Sequence, residues 1–246
     1  MSRGALYVVW EPAVPRADGF SIKPYLERAV ASFKQHHPEL PHRVVTLPRG
    51  STLHDKAGMF DHKPFDTTVF LDADTVVLGR LDYGFEMAER FGLALSHCVN
   101  PWLRRYNGVA GDAIEYNTGV LFFTDAAREV FDTWKRASPL LDSSARFVRD
   151  GQVRISPRDD QLSFSHALQL SPRAPFVLPH NWNFAPPHHH TFFGPLKVWH
   201  NYAEVPETVR EINRYYEQAG AVIQFHQLTT ERPAWLGPAP EPDPAG

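Results

Sequence analysis

Asp72 and Asp74, separated only by Ala73, are the side chains whose type and spacing most directly imply chemistry. They interrupt an apolar run, Thr67 to Leu71 before them and Thr75 to Leu78 after. Successive side chains on extended backbone alternate sides, so both carboxylates can face one way with Ala73 turned from them. Two carboxylates held together repel, and a bound cation is the simplest remedy. Oxygen donors favour Mg²⁺ or Mn²⁺, which keep open positions for phosphate oxygens. Two solvated turn aspartates would share the motif, but the apolar residues on both sides place this pair inside the framework of a domain. Asn117 with Gly119 opens another apolar run, where a strand-entry turn would use the same residue types. Asp159 and Asp160 precede a stretch through Leu168, where they suit a helix N-terminus.

The elements that must position these groups alternate. Ala5 to Trp10 reads as a first central strand, and Glu11 to Ser21 as a polar, proline-bearing loop. Tyr25, Leu26, Ala29, Val30 and Phe33 recur at helical spacing, in a helix that Pro38 ends. Arg43 to Leu47 is a strand, and Ser51 or Thr52 caps a helix running through Met59 and Phe60. The run Thr67 to Leu71, entered at Lys63-Pro64, reads as a buried parallel strand that carries Asp72 and Asp74 at its C-terminal end, where open α/β sheets bind ligands. A helix over Phe85 to Phe91, a strand over Gly92 to Ser96, a long loop over 100–114, a strand over Tyr116 to Phe123 and a helix from Asp125 carrying Val130, Phe131 and Trp134 follow. Asp159-Asp160-Gln161 caps a helix through Leu168. Late strands cover Phe176 to Pro179 and Lys197 to His200, and a last helix covers Glu207 to Gln218. The alternation implies a layered α/β domain whose mostly parallel central sheet is flanked by helices on both faces. One domain over 1–232 and a proline-rich, disordered tail over 233–246 are expected. There is no internal repeat.

The 246 residues suffice for a sizeable core, and a net charge of −3 gives no basic field for nucleic acid or anionic membrane. Cys98 is the single cysteine and fits a reducing compartment. No signal pattern and no apolar segment near the ~20 residues of a membrane span are present, so a cytoplasmic protein is expected.

The succession FLDADTVVLG, EYNTGVLFF, DDQLSF, LPHNWNF and KVWHNY resembles the GT-A-fold glycosyltransferases, especially glycosyltransferase family 8 and related bacterial nucleotide-sugar transferases. The similarity runs in order from Ala5 to Tyr202. It implies a Rossmann-like GT-A domain, a nucleotide-sugar donor (often a UDP-sugar), an acceptor that the sequence does not name, and Mn²⁺ or Mg²⁺ on the diphosphate. By this resemblance Asp72 lies near the donor ribose or metal and Asp74 is the principal metal ligand. Asn117 stands beside the transferred sugar, with Gly119 allowing close backbone approach there. Asp160 and Gln161 bind sugar hydroxyls and line the reacting carbon, and a late histidine completes the metal site. Family 8 proteins commonly show His, Gly-Pro and Lys-Pro-Trp in succession. Here the spacing from His190 to Gly194 is one residue too long and Val198 stands for the proline. Either His190 or His200 is therefore the third ligand; a strand terminus favours His200, and Lys197 is a phosphate contact on the first alignment.

In such chemistry cationic side chains would stabilise the leaving diphosphate, and Lys56, Arg104 and Arg105 are the candidates. Trp10 and Glu11, at the end of the first strand, could frame the nucleobase. Trp182, Asn183 and His188 to His190 could line the acceptor pocket. Two rivals stand beside this reading. In a haloacid-dehalogenase-type phosphatase Asp72 would be the nucleophile and Asp74 a general acid; that motif usually opens its domain, whereas several elements precede Asp72 here. The other rival is a GT-A-like binding domain without turnover.

Overall fold

A computed structural model describes residues 1–15, 17–97, 114–142, 144, 146–149, 151–155, 160–186 and 189–228. In chain order the elements are β1 (Arg3–Val9), α1 (Lys23–His36), β2 (His42–Thr46), α2 (Leu53–Lys56), β3 (Thr67–Leu71), β4 (Thr75–Val77), α3 (Asp82–Phe91), β5 (Leu93–His97) and β6 (Tyr116–Phe123). They continue with α4 (Arg128–Ala137), β7 (Arg146–Arg149), β8 (Gln152–Ile155), α5 (Gln161–Leu170), β9 (Phe176–Leu178), β10 (Thr191–Phe193), β11 (Val198–His200), α6 (Glu207–Tyr216) and β12 (Phe225–Gln227).

Six strands form the central sheet in the order β2-β1-β3-β6-β5-β9. It is mainly parallel, as the alternation of elements implies; β6 is reversed and runs antiparallel to both β3 and β5. Strand periodicity sorts the core into two layers. Leu6, Val8, Phe70, Leu95, Leu121 and Phe123 face α4, α5 and the turn after α2, whereas Ala5, Tyr7, Val69, Leu71 and Phe122 face α1 and α3. Each fully buried Phe, Leu or Val contributes about 1.5–3 kcal/mol relative to exposure. A third cluster, Val76, Phe184, Phe192, Leu196, Trp199, Val205 and Val209, packs α6 against β4 and β11.

Several boundaries differ from those read in sequence. The helix after Thr52 lasts one turn: Thr52 and Asp55 form a reciprocal capping box, and Ala57–His62 tightens into a 3₁₀ helix that carries Met59 and Phe60 into the core. Asp125 lies in a 3₁₀ turn capped by Thr124, and the α-helix proper begins at Arg128. The hairpin β7–β8 and the pair β10–β12 are additions. Among the described residues no helix is long and apolar enough to cross a membrane. Cys98, most of the loop over 100–114 and the tail over 233–246 lie outside the described residues.

Candidate active site

Asp72 follows the last residue of β3, and its N–H donates to the Gly119 carbonyl of β6 over 2.9 Å. The chain turns there: Thr75 donates to the Asp72 carbonyl through its N–H (3.1 Å) and its hydroxyl (2.7 Å), which starts β4. β4 pairs antiparallel with β11, and His200 sits opposite Thr75. The pairing delivers the imidazole beside the two carboxylates. His200 Nε2 lies 3.3 Å from Asp74 Oδ1 and 3.7 Å from Asp72 Oδ2. One ligand atom from each of the three side chains falls within 4.8 Å of the others, and this is the only such cluster among the described residues.

A chain of amides sets the imidazole. Asn183 Nδ2 donates to Asn117 Oδ1 (2.7 Å), which also accepts the Gly119 N–H (2.8 Å). Asn183 Oδ1 is thereby turned to accept from His200 Nδ1 at 2.8 Å, leaving Nε2 for the carboxylates or for a metal ion. Burial works to lower the His200 pKa, but Asp74 and Asp72 outweigh it and hold the imidazole above its ordinary value. Asp74 is held below the usual carboxylate range because His200 outweighs the effect of burial. Burial pushes Asp72 up against the opposing pull of Lys56 and His200. Gly119 is needed for this packing, since a Cβ there would run into His200 Cε1 and stand 2.9 Å from Asp72 Oδ2.

Lys56 approaches Asp72 from the buried side. Its ammonium is 2.9 Å from Asp72 Oδ1, 3.0 Å from Oδ2, 3.2 Å from Asp160 Oδ2 and 3.3 Å from Thr118 Oγ1, with the side chain only 2% exposed. Thr118 in turn donates to Asp160 at 2.7 Å. Burial alone would lower the Lys56 pKa; Asp160 and Asp72 raise it above its ordinary value. Lys56, a candidate in sequence for the leaving diphosphate, is here a buried counter-charge to Asp72 and Asp160. Asp160 differs too. It holds the N-cap position of α5 without a side-chain cap bond, because its carboxylate, 5% exposed, is engaged by Lys56 and Thr118. Gln161 begins α5 and is half-buried, as is Asn117.

In front of the triad lies a cleft of about 320 Å³. Asp72, Ala73, Asp74 and His200 form its polar end, and Val9, Trp10, Phe20, Ile22, Leu53 and Tyr202 supply apolar and aromatic walls. Ala73 sits in a turn and lines the cleft beside Asp72 and Asp74, not turned from them as extended backbone would have it, and Trp10 also lines it. Glu11 does not: its carboxylate accepts from Ser21 Oγ and the Ile22 N–H ahead of α1. Lys197 is not among the residues lining the cleft. It occupies the position before β11, at the end away from His200, against Gly79 and above the Trp182 ring. Trp182 is a core residue packed edge-on to Phe122, and His190 is exposed and outside the triad cluster. His189 is buried and accepts the Ala185 N–H. Arg104, Arg105, Asp159 and His188 lie outside the described residues. Thr118 and Asn183 are the site residues whose roles sequence reasoning missed; both lie inside the quoted motifs, but nothing in a motif shows which polar side chain faces inward.

No protein-family model matches the sequence, and no curated protein matches it. Solved structures do. Mouse xyloside xylosyltransferase 1 superposes with a TM-score of 0.51 at 14% identity, covering 83% of this chain and 100% of that one. An active-site mutant of LgtC, a galactosyltransferase, gives 0.50 at 13% identity over 95% of this chain and 99% of its own. The glycosyltransferase GlyE of Streptococcus pneumoniae gives 0.50 at 13% identity over 88% of this chain, which spans 60% of GlyE. The mainly parallel six-stranded sheet flanked by helices and these superpositions agree: the chain has the GT-A glycosyltransferase fold.

Proposed function

We propose that this chain is a metal-dependent glycosyltransferase that takes its sugar from a nucleoside-diphosphate donor, a UDP-sugar by preference, and that Asp72, Asp74 and His200 hold Mn²⁺ or Mg²⁺. The observation that carries the proposal is the meeting of these three side chains at the polar end of the cleft, beyond the C-terminal edge of β3. Two carboxylates and an imidazole with its outer nitrogen already bonded to an amide suit a divalent first-row cation. The missing Cβ of Gly119 leaves the imidazole room.

Departure of a nucleoside diphosphate builds negative charge on the β-phosphate as the anomeric bond breaks. When bound, the ion supplies Lewis-acid stabilisation of that charge and templates the leaving group. The chain's own residues do the rest. Lys56 keeps the Asp72 carboxylate in one orientation. Asn183 keeps His200 Nε2 aimed at the carboxylates. Trp10 and Phe20, which line the cleft, offer flat apolar surfaces to a base. Asn117 and Gln161 are the polar side chains proposed for the transferred sugar, whereas Asp160 acts through Lys56 and Thr118. A cytoplasmic location and an acceptor among glycans, lipids, proteins or small molecules complete the reading. The phosphatase alternative would make Asp72 a nucleophile, but it draws no support from a fold shared with glycosyltransferases.

Thermal-shift titration with nucleotide sugars, with and without Mn²⁺, tests the proposal. Saturation a hundredfold above Kd stabilises the native state by about 2.7 kcal/mol. A shift that needs Mn²⁺ together with a nucleotide sugar, and that disappears in Asp74→Asn, is expected, with slow release of nucleoside diphosphate to water. Absence of Mn²⁺-dependent binding by any nucleotide sugar refutes it.

A further inference from the structure

Asn201 follows the proposed metal ligand His200, and its backbone is held from two directions. Its N–H donates to the Asp74 carbonyl over 2.9 Å. Its own carbonyl accepts from Arg28 Nη2, also at 2.9 Å. Arg28 projects from α1, 173 residues away in sequence. Its second terminal nitrogen, Nη1, reaches the Ala203 carbonyl (3.3 Å) and the Glu204 carboxylate (2.9 Å), so one guanidinium spans the whole turn after β11. The turn also closes on itself, with the Ala203 N–H donating to Asn201 Oδ1 at 2.7 Å.

The guanidinium rests on the Tyr25 ring, 5.6 Å from its centroid, and Tyr25 packs edge-on against Tyr202, whose ring is a wall of the cleft. Polar and aromatic contacts from a single α1 side chain thus end on the residues that flank the triad. The Arg28 side chain is 18% exposed and lies outside the cleft lining. Surface ion pairs contribute little by themselves. What distinguishes Arg28 is its planar fork, which serves two backbone carbonyls together in a way that an ammonium cannot reproduce.

We propose that Arg28 is a positioning residue for the metal centre: by fixing the backbone of Asn201 and Ala203 it sets the placement of His200 and Asp74 relative to each other. The inference rests on the reading of Asp72, Asp74 and His200 as metal ligands. Removing outer groups that orient metal ligands weakens metal binding by on the order of tenfold to a hundredfold.

The test is calorimetric titration of the purified full chain with Mn²⁺ alone, for the wild type, Arg28→Lys, Arg28→Ala and Glu204→Gln, with thermal unfolding of each metal-free variant alongside. Arg28→Lys keeps the charge and removes the fork, so it reports even if Arg28→Ala does not fold. Both Arg28 variants are expected to bind Mn²⁺ at least tenfold more weakly, while Glu204→Gln stays within threefold of the wild type because the backbone bonds survive. Wild-type affinity in a folded Arg28→Lys or Arg28→Ala protein overturns the inference and leaves the metal reading intact. A wild type that binds Mn²⁺ neither alone nor with UDP overturns both; one that binds it only with UDP moves the same comparison of variants to the UDP-loaded protein.

Discussion

Lys56 Nζ and Asp72 Oδ2 lie 3.0 Å apart with the ammonium almost wholly buried, so one face of the foremost acidic residue of the cleft is occupied by a cation of the protein's own. Asp160 and Thr118 complete the surroundings of that ammonium. Replacing Lys56 with Met removes the charge and strands the buried Asp160 carboxylate and the partly exposed Asp72 carboxylate. Breaking a buried pair from one side costs about 3–5 kcal/mol. Urea denaturation of Lys56→Met is expected to show a loss in that range; a midpoint equal to the wild type's would mean that the pair adds nothing.

Gly119→Ala tests how closely β6 approaches the triad. The new methyl would enter the space of His200 Cε1 and crowd Asp72 Oδ2 at 2.9 Å. Overpacking of this kind typically costs about 1–3 kcal/mol. The expected outcome is a folded protein with reduced stability in denaturant and Mn²⁺ binding at least tenfold weaker, whereas an alanine at the nearby open position Gly58, which meets nothing within 4 Å, leaves metal binding unchanged.

Asn183 is buried and bonds to both Asn117 and His200. Leu in its place is similar in size but leaves Asn117 Oδ1 with one donor fewer and the imidazole without its amide. Loss of such an orienting partner lowers metal affinity by on the order of tenfold to a hundredfold. Calorimetric titration of Asn183→Leu with Mn²⁺ checks this, and undiminished affinity would remove Asn183 from the account.

Metal-free protein should show a pH signature of the His200–Asp74 pair. The folded-state pKa of His200 is raised above its ordinary 6.5, so its contribution to stability is complete below 6.5 and is lost as pH rises through the folded value. The pKa of Asp74 is depressed, so its contribution is present above its ordinary 3.8 and is lost as pH falls through the folded value. The pair therefore stabilises most between these two limits. Urea midpoints of wild type and His200→Gln, measured in chelator across pH, should differ most near pH 5 and converge in alkaline buffer. A difference that stays constant with pH would show that the pair is not ionised.

These expectations divide according to what a linear sequence can reveal. Asp72 and Asp74 were legible because a carboxylate at the end of an apolar β-branched run can only lie at a strand terminus, and His200 was legible as the end of a late strand. The central strands and α1 follow from apolar patterning and α5 from its acidic start, whereas α3, read from Phe85, begins at Asp82. The sequence marks Lys56 as a candidate cation without revealing its setting. Its burial depends on the collapse of the helix after Thr52 into a single turn and on Asp160 arriving from α5, contacts that no local pattern records. Asp160 carried the residue type of a helix cap, but tertiary pairing claimed its carboxylate. The three-residue strands β10 and β12 are too short to show a period. Nothing in the sequence singles out Arg28, since its partners are backbone carbonyls near the other end of the chain.

The reversal of β6 decides which chemistry each side of the sheet can contribute. Because this strand runs against β3, its first residues and not its last stand beside Asp72, and they present alternate faces: Thr118 towards Lys56, and Asn117 and Gly119 towards Asn183 and His200. A single thread of backbone thus partitions an internal ammonium from an imidazole while the aspartate between them touches both. Shifting that thread by one residue would exchange the two compartments, turning a hydroxyl towards the imidazole and an amide towards the ammonium. The alignment of two neighbouring strands is therefore itself a part of the chemistry.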